Sequence, residues 1–268
     1  MRTKGGKLAS AGNGTAEALA PRAGFGSDPR FGFSADPVRI MSNLCHELRT
    51  PLLVLGGYLD ILAEDFGKQF SAEPLRILER LRLNAAELTQ TVENLLEYAA
   101  AMAGTQAPVM VEAVDVAELI AELEPVFTPA AQRKKLSLQW KIGPHLNHLR
   151  SDRRLLKSII SNLVSNAIKF TDRGAVTVDL RQLRVESKCV VELQVVDSGI
   201  GLDERRLEEA FRPFVQLSDS NTRIHRGLGL GLALVRRNVT SLGGTIEVRS
   251  KPASGTSFKI RFPQGLRV

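Results

Sequence analysis

Between Leu78 and Met102 the apolar residues Leu78, Leu81, Ala85, Leu88, Val92, Leu95, Ala99 and Met102 recur at alternating intervals of three and four. That is the a/d pattern of a heptad repeat, and it predicts a helix with one long apolar seam. An earlier stretch, roughly Pro37 to Asp65, sets Met41, Leu44, Leu48, Leu55, Tyr58 and Leu62 in one stripe at helical spacing. Ser34-Ala-Asp36-Pro37 predicts its N-cap, with proline in the first turn, and Gly67 to Pro74 the turn between the two helices. A helical hairpin with this much apolar surface is covered best in a four-helix bundle made by two chains, so a homodimer is expected.

After Gly104 the pattern changes. Helices are expected at about Asp115–Lys134, Asp152–Phe170 and Leu228–Leu242. Strands are expected at Leu136–Ile142, Ala175–Leu183, Cys189–Asp197, Thr245–Ser250 and Thr256–Phe262. Helices mixed with mostly hairpin-connected strands imply an α+β layered domain. Residues 1–35, rich in Gly, Ala, Ser and Arg without apolar periodicity, read as a disordered tail. The expected organisation is therefore a tail over 1–35, a helical hairpin over 36–104 and an α+β domain over 105–268.

Composition narrows the partners. The net charge of +7 is uneven: residues 1–35 hold five basic and two acidic residues, and the rest of the surplus is spread among interleaved acids. No concentrated basic face emerges, so direct nucleic-acid binding is not expected. The longest uncharged stretch, Tyr98–Val111, is 14 residues and contains Gly104, Gln106 and Pro108, whereas a membrane span needs about 20 mostly apolar residues. Without a signal-peptide pattern, the expectation is a cytoplasmic protein with no membrane span. Cys45 and Cys189 fit no metal or disulfide spacing.

Four clusters carry candidate chemistry. On the first helix His46 lies nearly opposite the apolar stripe, with Thr50 four residues on and Glu47 beside it. A solvated imidazole with a carboxylate to orient it and accept its proton can act as a nucleophile. Asn162 and Asn166 are an i, i+4 pair on a largely apolar helix, with Lys169 and Phe170 following. An amide oxygen is a hard ligand suited to Mg²⁺ shared with phosphate, and an ammonium can neutralise that phosphate. Asp197-Ser-Gly199-Ile-Gly201 ends an apolar strand, where glycines let the backbone approach a ligand and the aspartate could accept an amino proton; taken alone it is equally an ordinary turn. Arg226-Gly227-Leu-Gly229-Leu-Gly231 feeds a helix N-terminus, a natural phosphate site.

Taken together these clusters resemble one family. Ser42-Asn-Leu-Cys-His46-Glu47-Leu-Arg49-Thr50-Pro51-Leu52 resembles the H-box of the histidine kinase dimerisation domain. Asn162-Leu-Val-Ser-Asn166-Ala-Ile-Lys169-Phe170-Thr171 resembles the N-box of the same kinases. The Asp197–Gly201 and Arg226–Gly231 segments are similar to the two glycine boxes of GHKL ATPases, and Ala210-Phe211-Arg-Pro213-Phe214 to the F-box of the nucleotide lid. Ser254-Gly255-Thr256 is similar to the closing G-x-G-T, with Ala253 in place of its first glycine and Phe170 where many members have tyrosine.

The resemblance spans about residues 37–263. It implies an α-helical hairpin, forming a dimeric four-helix bundle, followed by an α+β two-layer sandwich ATPase domain of the GHKL type. It further implies ATP and Mg²⁺ as cofactors, Asn166 as metal ligand, and Asn162, Lys169, Phe170, Asp197, Gly199, Gly201, Arg226, Gly227, Gly229, Gly231 and Thr256 around the nucleotide. His46 would be phosphorylated with help from Glu47, and the phosphoryl group would pass to a response-regulator receiver domain. Thr50, in H-E-x-x-T, would orient water for dephosphorylating the regulator. The input would come from an upstream sensor or partner that the sequence does not identify. Other GHKL ATPases and a nucleotide-binding scaffold remain alternatives, against which the His46 box and the intact glycine boxes argue.

Overall fold

The computed structural model describes residues 37–66, 70–144, 146–185, 188–216 and 228–263. Two long helices open it, α1 (Pro37–Phe66) and α2 (Ala72–Met102), packed as a hairpin. The N-cap expected at Ser34–Asp36 lies outside the described residues. α1 runs through Pro51, which lacks the N–H that would otherwise bond one turn back.

The heptad seam divides in two. Leu78, Ala85, Val92 and Ala99, one per heptad, are buried, and the first three pack with Cys45, Leu52 and Leu59 of α1. Of the other seam positions, Leu95 packs beside Cys45, Leu52 and Val92, while Leu81, Leu88 and Met102 are exposed, as are Leu44, Leu48, Leu55, Tyr58 and Leu62 of α1. Cys45, Leu52 and Leu59, spaced seven residues apart, therefore close the hairpin. Apart from Met41, which packs beside Cys45, Leu52 and Val92, the α1 stripe read from the sequence is the surface that the single chain leaves open.

A mixed five-stranded sheet follows, with strands β2 (Ser137–Ile142), β4 (Ala175–Val185), β5 (Lys188–Asp197), β6 (Thr245–Ser250) and β7 (Thr256–Pro263) in the order β2-β4-β5-β7-β6. Only β2 and β4 pair in parallel; the other neighbours are antiparallel. One sheet face supplies Val176, Val178, Leu180, Val191, Leu193, Val195, Phe258, Ile260 and Phe262 to the core. Helices α3 (Val116–Arg133), α4 (Arg153–Phe170) and α6 (Gly231–Ser241) cover it with Leu119, Leu123, Ile159, Leu163 and Val235. The short α5 (Leu207–Ala210) follows a 3₁₀ turn at Glu204–Arg206.

Side-chain caps fix where helices begin. Asp115 accepts from the Glu118 amide at 3.0 Å to start α3, and Asp152 accepts from the Leu155 amide at 3.1 Å to start α4. The second Asp152 oxygen accepts from the Met110 amide at 3.0 Å, which pins the segment after α2 to α4. A small antiparallel pair, β1 (Glu112–Asp115) and β3 (His148–Ser151), was not expected from the sequence. Each strand has only four residues, too few for an alternation to stand out.

Candidate functional site

α1 turns Cys45 inward, where it is buried with Leu52 and Val92, and burial raises its thiol pKa. His46, Glu47 and Thr50 consequently lie on the exposed side. Arg49, one residue before Thr50, reaches Glu93 of α2 at 3.7 Å. An imidazole in this position is open to a partner that brings an electrophile to it.

The other candidates gather around the second half of α4. Asn162 is buried; its amide donates to the Ser158 carbonyl at 3.0 Å and its Oδ1 accepts from the amide of Asn94, on α2, at 3.2 Å. A Cβ on Gly231 would lie 2.8 Å from Asn162 Oδ1 and 3.7 Å from Asn166 Nδ2. Both asparagines thus face the first residue of α6 across a gap that only glycine leaves free. Lys169 is half-buried with its ammonium 5.3 Å from the Phe170 ring centre. Burial lowers its pKa, and the nearby Glu87 of α2 pulls it back up.

Asp197 is 8% exposed, at the end of β5. Its Oδ1 accepts from the backbone amides of Gly199 at 2.8 Å and Thr256 at 3.2 Å. Burial raises its pKa above the ordinary carboxylate value, and those two hydrogen bonds act in the opposite direction. The adjoining turn is tied to α4, because the Ile200 amide donates to the Phe170 carbonyl at 3.2 Å. Gly201 has φ +64 and sits on the Lys251 carbonyl, so no side chain fits there. Thr256 Oγ1 lies 2.9 Å from Ser250 Oγ, which in turn accepts from the Leu202 amide at 2.7 Å. Ser250 is a site-supporting residue that the sequence reading missed.

The lid segment is described in part. Phe211 is buried with the Arg236 guanidinium 4.0 Å above its ring, and Phe214 makes an edge contact with Tyr98 of α2 at 5.3 Å. The Phe214 amide donates to the Gly229 carbonyl at 3.1 Å, and Gly229 has φ +69. Arg226 and Gly227 lie outside the described residues.

The structure brings Asn162, Asn166 and Gly231 into one cluster, and joins Lys169 and Phe170 to Asp197, Gly199, Gly201 and Thr256 by the Phe170–Ile200 contact. His46, Glu47 and Thr50 stand apart on α1; among the described residues no hydrogen bond or ion pair links them to this cluster. A buried carboxylate that can take an amino proton, beside amides and an eleven-residue helix starting at Gly231, suits a nucleotide with its phosphates toward the helix N-terminus. Among the described residues no group of three or more His, Cys, Asp or Glu could hold a metal by itself. The donor set fits a Mg²⁺ shared with phosphate oxygens and one amide.

The site's link to the hairpin was also missed. Glu97 of α2 accepts from Asn238 Nδ2 at 2.6 Å and Ser158 Oγ at 3.0 Å, and Arg237 donates to the Ala101 carbonyl and Gln106. These partners lie on α4 and α6, which no local pattern in α2 could name.

Comparison with known proteins agrees with this geometry. Residues 38–104 match the His Kinase A (phospho-acceptor) domain, and residues 151–266 match the histidine kinase-, DNA gyrase B- and HSP90-like ATPase domain. The chain is 30% identical over 237 residues to the sensor histidine kinase AtsR of Burkholderia thailandensis, covering 88% of this chain and 39% of that protein. It is 34% identical over 227 residues to a sensor-like histidine kinase of Rhizobium meliloti, covering 84% and 42%. The chain thus spans about two fifths of the length of these relatives. Among solved structures, full-length ShkA in complex with AMPPNP superposes with a TM-score of 0.60 at 27% identity, covering 84% of this chain and 46% of that one. The histidine kinase AdeS of Acinetobacter baumannii shares the fold at a TM-score of 0.52 and 23% identity, covering 82% and 98%.

Proposed function

The chain belongs to the sensor histidine kinases, whose phosphoacceptor and ATP-binding domains it carries in that order, and on this premise we propose that it phosphorylates its own His46 from ATP and passes the phosphoryl group to an aspartate of a response-regulator receiver domain. One observation carries the reading. An exposed histidine on a helical hairpin shares a chain with a buried carboxylate, paired amides and a glycine-lined helix start on an ATPase fold.

In this reading Asp197 takes the amino group of the base, Phe170 stacks on it, and Gly199, Gly201 and Thr256 shape the turn around it. Asn162, Asn166, Lys169 and the Arg226–Gly231 segment attend the phosphates, with Asn166 as the metal ligand. Mg²⁺ bound with the nucleotide supplies charge neutralisation. Phosphoryl transfer depends chiefly on positioning and charge, so His46 needs a clear approach and an orienting carboxylate, which its exposed face and Glu47 provide. Thr50, one turn on, would orient water when the regulator is dephosphorylated; a relative, LuxQ of Vibrio vulnificus, is named a sensor kinase/phosphatase.

The open stripe of Leu44, Leu48, Leu55, Leu81 and Leu88 supports a homodimer through a four-helix bundle. The working division is a phosphoacceptor domain over 36–104 and an ATP-binding domain over 105–268. No described helix is long and apolar enough to cross a membrane, and the reading puts this core in the cytoplasm, receiving its signal from an upstream sensor or input protein.

Incubation with γ-labelled ATP and Mg²⁺ tests the reading. The protein gains an acid-labile, base-stable phosphate that is lost in His46→Ala. Label that withstands acid, or that persists in His46→Ala, refutes it.

A further inference from the structure

The last turn of α4 is held from two sides. A helix leaves its final four carbonyls without intrahelical partners, and here these belong to the turn that carries Lys169 and Phe170. From one side the Ile200 amide, in the turn after Asp197, bonds the Phe170 carbonyl. From the other, the Lys134 ammonium bonds three carbonyls together: Ile168 at 2.9 Å, Lys169 at 2.7 Å and Thr171 at 3.1 Å. Asp172 lies 3.7 Å from the same nitrogen. Lys134 is the C-cap residue of α3, and Arg133 beside it bonds Glu79 of α2 at 3.1 Å.

We propose that Lys134 is a positioning residue for nucleotide binding: by capping the end of α4 it sets Lys169 and Phe170 against Asp197. The proposal rests on the reading of that cluster as the nucleotide site. A cation at a helix C-terminus meets the negative end of the helix dipole, and its three N–H donors match three carbonyls that would otherwise need water. The effect passes through the backbone of the last turn, whose carbonyls Lys134 holds. Asn162, two turns earlier, is held by Ser158 and Asn94 and does not depend on the cap. Without Lys134 the last turn frays. The phosphate-side lysine and the stacking ring then lose their fixed place, while the start of α4 and the core stay formed.

The test compares the wild-type chain of 268 residues with Lys134→Met, Lys134→Gln and Lys134→Arg by calorimetric titration with ATP–Mg²⁺ and by the kinetics of His46 labelling. Lys134→Met, which keeps the aliphatic stem and loses all three donors, weakens ATP binding about tenfold, the scale of a charge-assisted cap. KM rises in step and kcat changes less than about twofold, the signature of lost binding rather than lost chemistry. Lys134→Gln, which keeps an amide donor and guards against loss of the fold, falls between. Lys134→Arg, with charge and donors retained, returns to within about threefold of wild type. A purely structural cap predicts otherwise: lower melting temperatures with unchanged ATP affinity in folded Met and Gln variants, which overturns the proposal. If wild type itself binds no ATP–Mg²⁺, the nucleotide reading falls and the proposal with it.

Discussion

Ala253 is held at φ +58 in the turn before β7, a region where a Cβ crowds the following carbonyl. Its amide donates to the Ile200 carbonyl at 2.7 Å, so the conformation is fixed by the neighbouring glycine turn and not by any preference of alanine. The sequence shows alanine where the family pattern has glycine, and the structure shows what that substitution costs. Ala253→Gly removes about 1–2 kcal/mol of left-handed strain and gives back about 0.5–1 kcal/mol in unfolded-state freedom. The expected gain is roughly 0.5–1 kcal/mol, a rise of about 1–4 °C in melting temperature for a chain of this size. Calorimetry decides it: a lower melting temperature would mean that the turn tolerates alanine without strain. At this scale the chemistry was readable wherever a residue's neighbours are near in sequence, as for His46 with Glu47 or Asp197 with Gly199. Lys134 and Asn94 were not readable, because what gives them a role is a carbonyl or an amide on another element.

Among the elements, β5 shows how a strand can read as apolar and still bury a charge. Its segment Val190-Val-Glu192-Leu-Gln-Val-Val196 puts Val191, Leu193 and Val195 into the core, and Glu192 onto the opposite face. There Glu192 is 1% exposed, covered by Arg181 of β4 and Arg261 of β7, its register partners on either side. Its Oε1 accepts from Arg181 at 2.7 Å and its Oε2 from Arg261 at 2.9 Å. Burial pushes the Glu192 pKa up, but the two guanidiniums outweigh it and hold the carboxyl below its ordinary value of 4.5. The folded chain therefore keeps this group charged at lower pH than the unfolded chain does. That stabilisation is complete above the ordinary value and disappears as pH falls through the folded one. Glu192→Gln is expected to cost about 1–3 kcal/mol at pH 7, less than a fully buried pair because both arginines remain partly in water. Denaturant titrations of the two proteins should converge as the pH is lowered toward 3. Equal stability at pH 7 would show that the arginines gain nothing from the carboxylate. The seam of α2 teaches a related lesson. Heptad spacing predicts the helix and its apolar residues, but which of them close the hairpin and which stay open depends on Cys45, Leu52 and Leu59 of α1. The apolar stripe read on α1 did not include those three.

At the scale of the whole molecule the two faces of α2 have opposite character. One face meets the ATP-binding part through polar contacts: Asn94 to Asn162, Glu97 to Ser158 and Asn238, and the Ala101 carbonyl to Arg237. Such contacts exchange readily with water and contribute on the order of 1 kcal/mol each. The other face, with the α1 stripe, is apolar and uncovered; Leu44 is 56% exposed, Leu48 51% and Leu88 50%. Burying a leucine contributes about 1.5–3 kcal/mol, so roughly half of that per side chain is available to a second copy before any other contact forms. Several such side chains on each hairpin, doubled by two-fold symmetry, make a dimer through this face the expected state. Leu88 is the informative position, because it lies mid-helix, is half-exposed in the single chain and makes no part of the hairpin's own core. Leu88→Asp should leave the monomer folded, with unchanged helix content by circular dichroism, since the aspartate can reach water there. In a dimer the same aspartate would be buried opposite an apolar surface, at a cost of several kcal/mol for each copy. Sedimentation equilibrium of the full chain should give a dimer for wild type at tens of micromolar and a monomer for Leu88→Asp. A monomeric wild type, or a Leu88→Asp dimer as tight as wild type, would show that the open stripe is covered by something other than a second hairpin.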